Sequence, residues 1–149
     1  MTTVFAFTER WWLPAPPERV RDVLVDLEHY PDWWPQVVAV ASLGPDDARV
    51  LCRSTLPYTL DLTLHAVSRE LPLLEVALGG HLDGWVRWRL EPSNGGTAMS
   101  LEQQVTVHGP VAPLARVVAP LARWNHRRMM AGGRAGLRAH LARPAEQEQ

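Results

Sequence analysis

Apolar and polar residues alternate along most of this chain, and at two places the alternation gives way to a helical period. From Val4 to Leu13, residues Phe5, Phe7, Trp11 and Leu13 share one parity, which predicts a strand. Pro14-Ala15-Pro16-Pro17 ends it. A proline then suits the first turn of a helix, where a missing N–H costs nothing, and Glu18 complements the positive end of the dipole. Val20, Val23, Leu24 and Leu27 follow at helical spacing, and His29-Tyr30 breaks the helix because Tyr30 precedes a proline. Pro31 to Trp34 can form one more turn, stopped by Pro35. Strand-like alternation resumes over Val37–Leu43, Arg49–Ser54, Tyr58–Ser68, Leu73–Leu78, Leu82–Leu90 and Thr97–Val107, with turn-formers between the runs. The first such turn is Gly44-Pro45-Asp46-Asp47 and the last is Pro92-Ser93-Asn94-Gly95-Gly96.

Gly109 to Arg143 is the only stretch long enough for a helix of many turns. Leu114, Val118, Leu121, Ala122 and Met129 recur on one helical face, and the same period puts Asn125, Gly132 and Gly136 there. On this reading His126 points off the apolar face. Pro113 and Pro120 predict a kink or break in the first turns, with the continuous helix starting near Pro120. The order is therefore strand, two short helices, about six antiparallel strands and a long helix. This predicts an α+β fold in which the helix covers the apolar face of a curved sheet of about seven strands.

Composition narrows the class. At 149 residues the chain is read as one domain over residues 1–143, with a disordered tail over 144–149. A chain of this size buries roughly 70% of its unfolded surface and needs no disulfide or metal staple. The single cysteine, Cys52, excludes an internal disulfide and reads as a small core residue, so a reducing cytoplasm is the expected compartment. The opening Met-Thr-Thr-Val-Phe has no leader-like pattern, and no apolar run approaches a membrane span. Every basic residue among the fifteen is arginine, and isoleucine is absent too, a bias expected of a high-GC bacterial genome. Without lysine, Schiff-base chemistry and the phosphate-binding lysine of a Gly-rich nucleotide loop are excluded. The six histidines are scattered without ligand spacing, so no metal is expected. Net charge is −1 but unevenly placed: eight Arg against fourteen Asp and Glu up to residue 102, then seven Arg against two Glu. No base-stacking motif accompanies the arginines, which argues against nucleic acid and leaves an acidic partner or membrane surface open.

Several stretches together resemble one family. They are Pro16-Pro17-Glu18-Arg19-Val20; Asp26-Leu27-Glu28-His29-Tyr30-Pro31-Asp32-Trp33-Trp34-Pro35; Gly80-His81-Leu82-Asp83-Gly84-Trp85 leading to Trp88-Arg89-Leu90; Gly96-Thr97; and Trp124-Asn125-His126 through Met130 to Gly133. In order and spacing they resemble the polyketide cyclase/dehydrase and lipid-transport group of the START-like SRPBCC superfamily. The resemblance implies a single helix-grip domain, with an apolar cavity between sheet and C-terminal helix and no metal or nucleotide cofactor. The superfamily hosts cyclases, carriers and receptors alike, so the fold leaves function open.

The candidate site residues follow from parity. Asn125 is an amide on the helix's apolar stripe, and Gln103 is its counterpart on the last strand; each either makes a structural hydrogen bond or meets a ligand. Tyr58, Trp88 and Met129 fall on inward positions, as core or as cavity wall. Trp33 and Trp34 are adjacent, so at most one points fully inward; Trp33 is the candidate, as packing or as a gate. Arg128 flanks the stripe, either salt-bridged to the sheet or poised at the cavity edge for a carboxylate, enolate or phosphate. Gly132 and Gly136 imply either close backbone approach or room for a ligand. Trp11, Trp12 and Trp85 suggest an aromatic patch and a homodimer face.

Three functions are consistent with these residues. The first is binding of a hydrophobic polyketide-, lipid- or aromatic-like molecule, oriented by Asn125, Gln103 and Arg128. The second is an aromatic polyketide cyclase/dehydratase in which positioning promotes aldol closure or water loss, with Tyr58 as proton donor and Arg128 as oxyanion stabiliser. Only Glu9 offers an inward carboxylate, which ranks catalysis second. The third is an interaction module docking an acidic partner on the basic helix face.

Overall fold

A computed structural model describes residues 2–53, 59–80, 82–108 and 112–143. The elements are β1 (Thr2–Leu13), α1 (Pro17–Val25), a 3-10 turn (Leu27–Asp32), β2 (Val37–Ser42), β3 (Asp47–Arg53), β4 (Thr59–Ser68), β5 (Leu73–Gly80), β6 (Asp83–Ser93), β7 (Gly96–His108), α2 (Ala112–Val117) and α3 (Ala119–Leu141). The seven strands form one antiparallel sheet in the order β1-β7-β6-β5-β4-β3-β2. Consecutive hairpins build β2 to β7, and β1 closes on β7 with Phe7 opposite Gln103. The β6–β7 hairpin turns at Asn94 and Gly95, both at positive φ, which suits the right-handed twist of the flanking strands. The long helix covers the inner face, which is the expected helix-grip arrangement.

Local chemistry explains the entry into this fold. Pro17 opens α1 with Glu18 in its first turn. The helix stops at Asp26, and the buried Tyr30 hydroxyl donates to the Leu24 carbonyl at 2.5 Å, pinning the 3-10 turn beneath α1. Trp33 and Trp34 follow. Trp34 Nε1–H donates to the Met129 carbonyl of α3 at 2.9 Å, tying this segment to the long helix.

The two halves of α3 pack differently. In the C-terminal half Leu137 and Leu141 are fully buried in the core with Leu13, Val20 and Leu90. There the Arg19 guanidinium of α1 donates to the Leu141 carbonyl at 2.7 Å and to the Arg143 carbonyl at 3.1 Å. It thereby satisfies orphan acceptors at the negative end of the helix. The N-terminal half departs from the apolar stripe read in the sequence. Ala122 and Met129 are half-buried, but Leu114, Val118 and Leu121 are exposed. Periodicity identifies a face, and tertiary geometry decides what covers it; here the side facing the sheet keeps Ala122, Asn125 and Met129 of that stripe and adds His126. The break foreseen at the prolines lies at Val118, between α2 and α3. Trp11 is also buried, against Trp88, so it belongs to no surface patch. Residues 144–149 lie outside the described residues.

Three glycines set the distance between α3 and the Trp33–Gln36 segment. A Cβ on Gly136 would fall on the Trp33 carbonyl oxygen, on Gly133 against the Trp34 ring, and on Gly132 against the Gln36 side chain. Alanine in a helix is worth about 1 kcal/mol over glycine, but a clash with backbone outweighs that. We expect Gly136→Ala to lower stability by about 2–4 kcal/mol in urea denaturation. Gly132→Ala, whose neighbour is a flexible side chain, should change it by less than about 1 kcal/mol.

Candidate functional site

Between the sheet and the N-terminal half of α3 lies a cavity of about 580 Å³, within the roughly 300–1,000 Å³ typical of small-molecule sites. Inward residues of β3 to β6 form its aliphatic wall, among them Val50, Leu62, Leu64, Val76 and Val86. Trp88 and Leu101 line it further, with Phe5 and Phe7 from β1. The helix contributes Ala122, Asn125, His126, Met129 and Met130.

Polar groups converge on this lining at one place. His126 Nε2 and Gln103 Oε1 are 2.8 Å apart, so the ring N–H donates to the amide oxygen. The imidazole stacks on Phe7 with ring centroids 3.6 Å apart and planes 11° from parallel. Burial disfavours the charged ring and lowers its pKa to about 4. At neutral pH His126 is therefore uncharged, with Nδ1 left as a hydrogen-bond acceptor. Asn125 is 3% exposed, and its Nδ2 lies 3.8 Å from the Met129 sulfur. Cys52 also lines the cavity; burial raises its thiol to about 11, which keeps it protonated and poorly nucleophilic.

Carboxylates line the cavity only among exposed or ion-paired groups. Asp26 bonds His29 at 2.7 Å, Asp46 bonds Arg69 at 2.7 Å, Asp47 bonds His65 at 2.9 Å and Glu75 bonds Arg87 at 2.8 Å, while Glu28 is exposed. Glu9, the one carboxylate expected on an inward parity, lies apart from this cavity in a shallow groove with Trp11, Arg134 and Arg138.

The structure sorts the expected site residues. Gln103, Asn125, Met129 and Trp88 all line this cavity. Trp33 is buried but does not line it; the adjacent Trp34 does. Arg128 is exposed, with its guanidinium 5.6 Å from the Trp124 ring centroid, and it neither lines the cavity nor makes an ion pair among the described residues. Tyr58 lies outside the described residues. His126 corrects the reading that placed it off the inner face. The curved sheet wraps a wider arc of the helix than a flat one, so two adjacent residues, about 100° apart, both face it. A histidine followed at three and four positions by Met129 and Met130 was the available signal. Trp85 is half-buried with the Arg87 guanidinium 4.0 Å from its ring centroid, and Trp12 donates Nε1–H to the Ser93 carbonyl at 3.0 Å. Among the described residues no three His, Cys, Asp or Glu side chains cluster to hold a metal, and no helix is long and apolar enough to cross a membrane.

An antiparallel sheet gripping one long helix over an apolar cavity defines a helix-grip protein of the START-like superfamily. More narrowly, the chain belongs to the polyketide cyclase / dehydrase and lipid transport family, whose profile matches residues 5–142. Solved structures share the fold at low identity. The Thermus thermophilus protein TTHA0849 is 16% identical with a TM-score of 0.78, over 92% of this chain and 97% of that one. The Zhui aromatase/cyclase from Streptomyces sp. R1128 is 12% identical with a TM-score of 0.73, over 98% of each chain. A START superfamily protein from Mycobacterium smegmatis is 17% identical with a TM-score of 0.65, over 87% and 94%. Among curated proteins none matches the sequence.

The buried histidine makes a pH prediction. Between about pH 6.5 and 4 the unfolded chain binds a proton at residue 126 that the folded chain does not. Stability from the neutral ring is complete above about 6.5 and is lost as pH falls through about 4, at most roughly 3 kcal/mol. Urea midpoints should therefore fall more steeply over this range in the native protein than in His126→Gln, and NMR should show the ring titrating near 4.

Proposed function

We propose that this protein binds a hydrophobic, ring-containing or lipid-like small molecule between its sheet and α3. The observation that carries this reading is the 580 Å³ apolar cavity with Gln103, His126 and Asn125 on its lining. The apolar wall supplies affinity, and the polar groups orient one end of the ligand. A ligand hydroxyl donates to His126 Nδ1 or bonds the Asn125 amide. Family and fold support either hydrophobic-ligand binding or a polyketide cyclase role.

A cyclase/dehydratase is the second reading, favoured by His126, the one imidazole on the lining among the described residues. General base catalysis is most efficient with a pKa near the working pH. A ring held near 4 accepts hydrogen bonds well but removes protons from carbon poorly, which ranks binding first. Incubation with a poly-β-ketone mimic decides the order: products and rates unchanged by the protein leave binding alone.

Anilinonaphthalene sulfonate, an apolar fluorophore, should bind the intact protein. Leu62→Trp, which fills the cavity, should weaken it about tenfold with little change in Tm. Native mass spectrometry of protein from its source should show a retained molecule. Asn125→Leu should lose affinity for that molecule while gaining ligand-free stability; reduced stability instead would assign Asn125 a structural role.

A further inference from the structure

The first turns of the helical segment leave much of their apolar surface exposed. Ten large apolar side chains are exposed among the described residues, and five lie between positions 114 and 124: Leu114, Val117, Val118, Leu121 and Trp124. Leu114 is 62% exposed and Val117 77%. Backbone bonds from Val118 N–H to the Leu114 carbonyl and from Ala122 N–H to the Val118 carbonyl, each 3.0 Å, carry the helical path across the α2–α3 junction. Spacings of three, four, seven and ten then set the five side chains within one broad arc, with Val118 at its inner edge. Asn125, four residues after Leu121, is buried at the inner edge of that face, and Ala122, Met129 and His126 continue round the inward side.

Charge flanks this apolar face on one sign only. Arg116, Arg127 and Arg128 are exposed around it, and none forms an ion pair among the described residues, while Arg123 turns toward β1 and donates to the Ala6 carbonyl at 3.3 Å. No carboxylate occurs in sequence between Glu102 and Glu146. Val118 is both exposed and part of the cavity lining, so the cavity reaches the surface beside this face.

We propose that the outward face of α2 and the first turns of α3 docks on an anionic lipid surface, with the cavity opening at Val118 set against the bilayer. Exposed aliphatic side chains enter the interfacial layer, Trp124 sits at headgroup level, and the flanking arginines meet lipid phosphates. The excess of acid in the first 102 residues turns the rest of the molecule away from the same surface. This inference does not rest on what the cavity holds.

Vesicle flotation tests it. The intact protein should float with phosphatidylcholine–phosphatidylglycerol vesicles, less as salt rises, and should not float with phosphatidylcholine alone. Val117→Glu/Leu121→Glu should reduce flotation at least about tenfold, with Tm and fluorophore binding unchanged because neither side chain lines the cavity. Arg116→Glu/Arg127→Glu should act in the same direction. No flotation by the native protein, equal flotation on neutral vesicles, or unchanged flotation of the variants overturns the proposal. So does binding to soluble polyglutamate without vesicle binding, which assigns the face to an acidic protein. Self-association lost in Val117→Glu/Leu121→Glu, again without vesicle binding, assigns it to a second copy and overturns the proposal as well.

Discussion

Everything in this molecule depends on how closely α3 approaches the Trp33–Gln36 segment. Gly132, Gly133 and Gly136 leave a groove in the helix with no side chains to hold the segment off. Trp34 reaches across to the Met129 carbonyl, and Arg19 ties down the far end. These contacts fix the helix through its C-terminal half, around fully buried Leu137 and Leu141. The N-terminal half then extends over the sheet at a height the anchor sets. A helix free to settle would close on the apolar sheet and remove the cavity, because burial of apolar area drives it there. The anchor is what keeps the space open.

Inside that space the balance of forces is uneven. A ligand that buried roughly 300 Å² of apolar surface would gain about 7 kcal/mol before the costs of association. A hydrogen bond to Asn125 or His126 adds only about 1 kcal/mol net. For such a ligand, affinity would come from the wall and orientation from the amides and the imidazole. The polar groups discriminate mainly by penalty: a ligand that covers them without pairing leaves a buried polar atom unsatisfied, at about 1–3 kcal/mol. The neutral state of His126 matters for the same reason. A charged ring would need a counter-ion, and the carboxylates on the lining are exposed or already paired with His29, His65, Arg69 and Arg87.

Much of this architecture could be read from residue order, because hairpins and alternation are local. The strand pairing of β2 to β7, the inward parity of Gln103 and the burial of Asn125 all follow from period and turn chemistry. The glycines announced close approach, although not which segment approaches. What period could not show is the arc of helix that a curved sheet covers, and there His126 was misplaced. Nor could it separate Trp33 from Trp34, since adjacent residues on a short turn are sorted by tertiary contacts alone. Arg19 as a cap for α3 lies 122 residues from its acceptor, beyond any local pattern.

The contrast between the two halves of α3 links these points. In its C-terminal half the helix is ordinary, with Leu137 and Leu141 inward and Arg134 and Arg138 outward. Toward the N-terminus Leu121 and Trp124 are exposed, while Asn125 and His126 join Ala122 and Met129 on the cavity side. Left exposed, each large apolar side chain forgoes about 1.5–3 kcal/mol that burial would supply. Rotating the first turns to recover that energy would twist them against an anchored remainder and carry His126 off the sheet. The well-packed half thus imposes the orientation of the other. It holds polar side chains on the wall of an apolar cavity and leaves apolar ones against solvent.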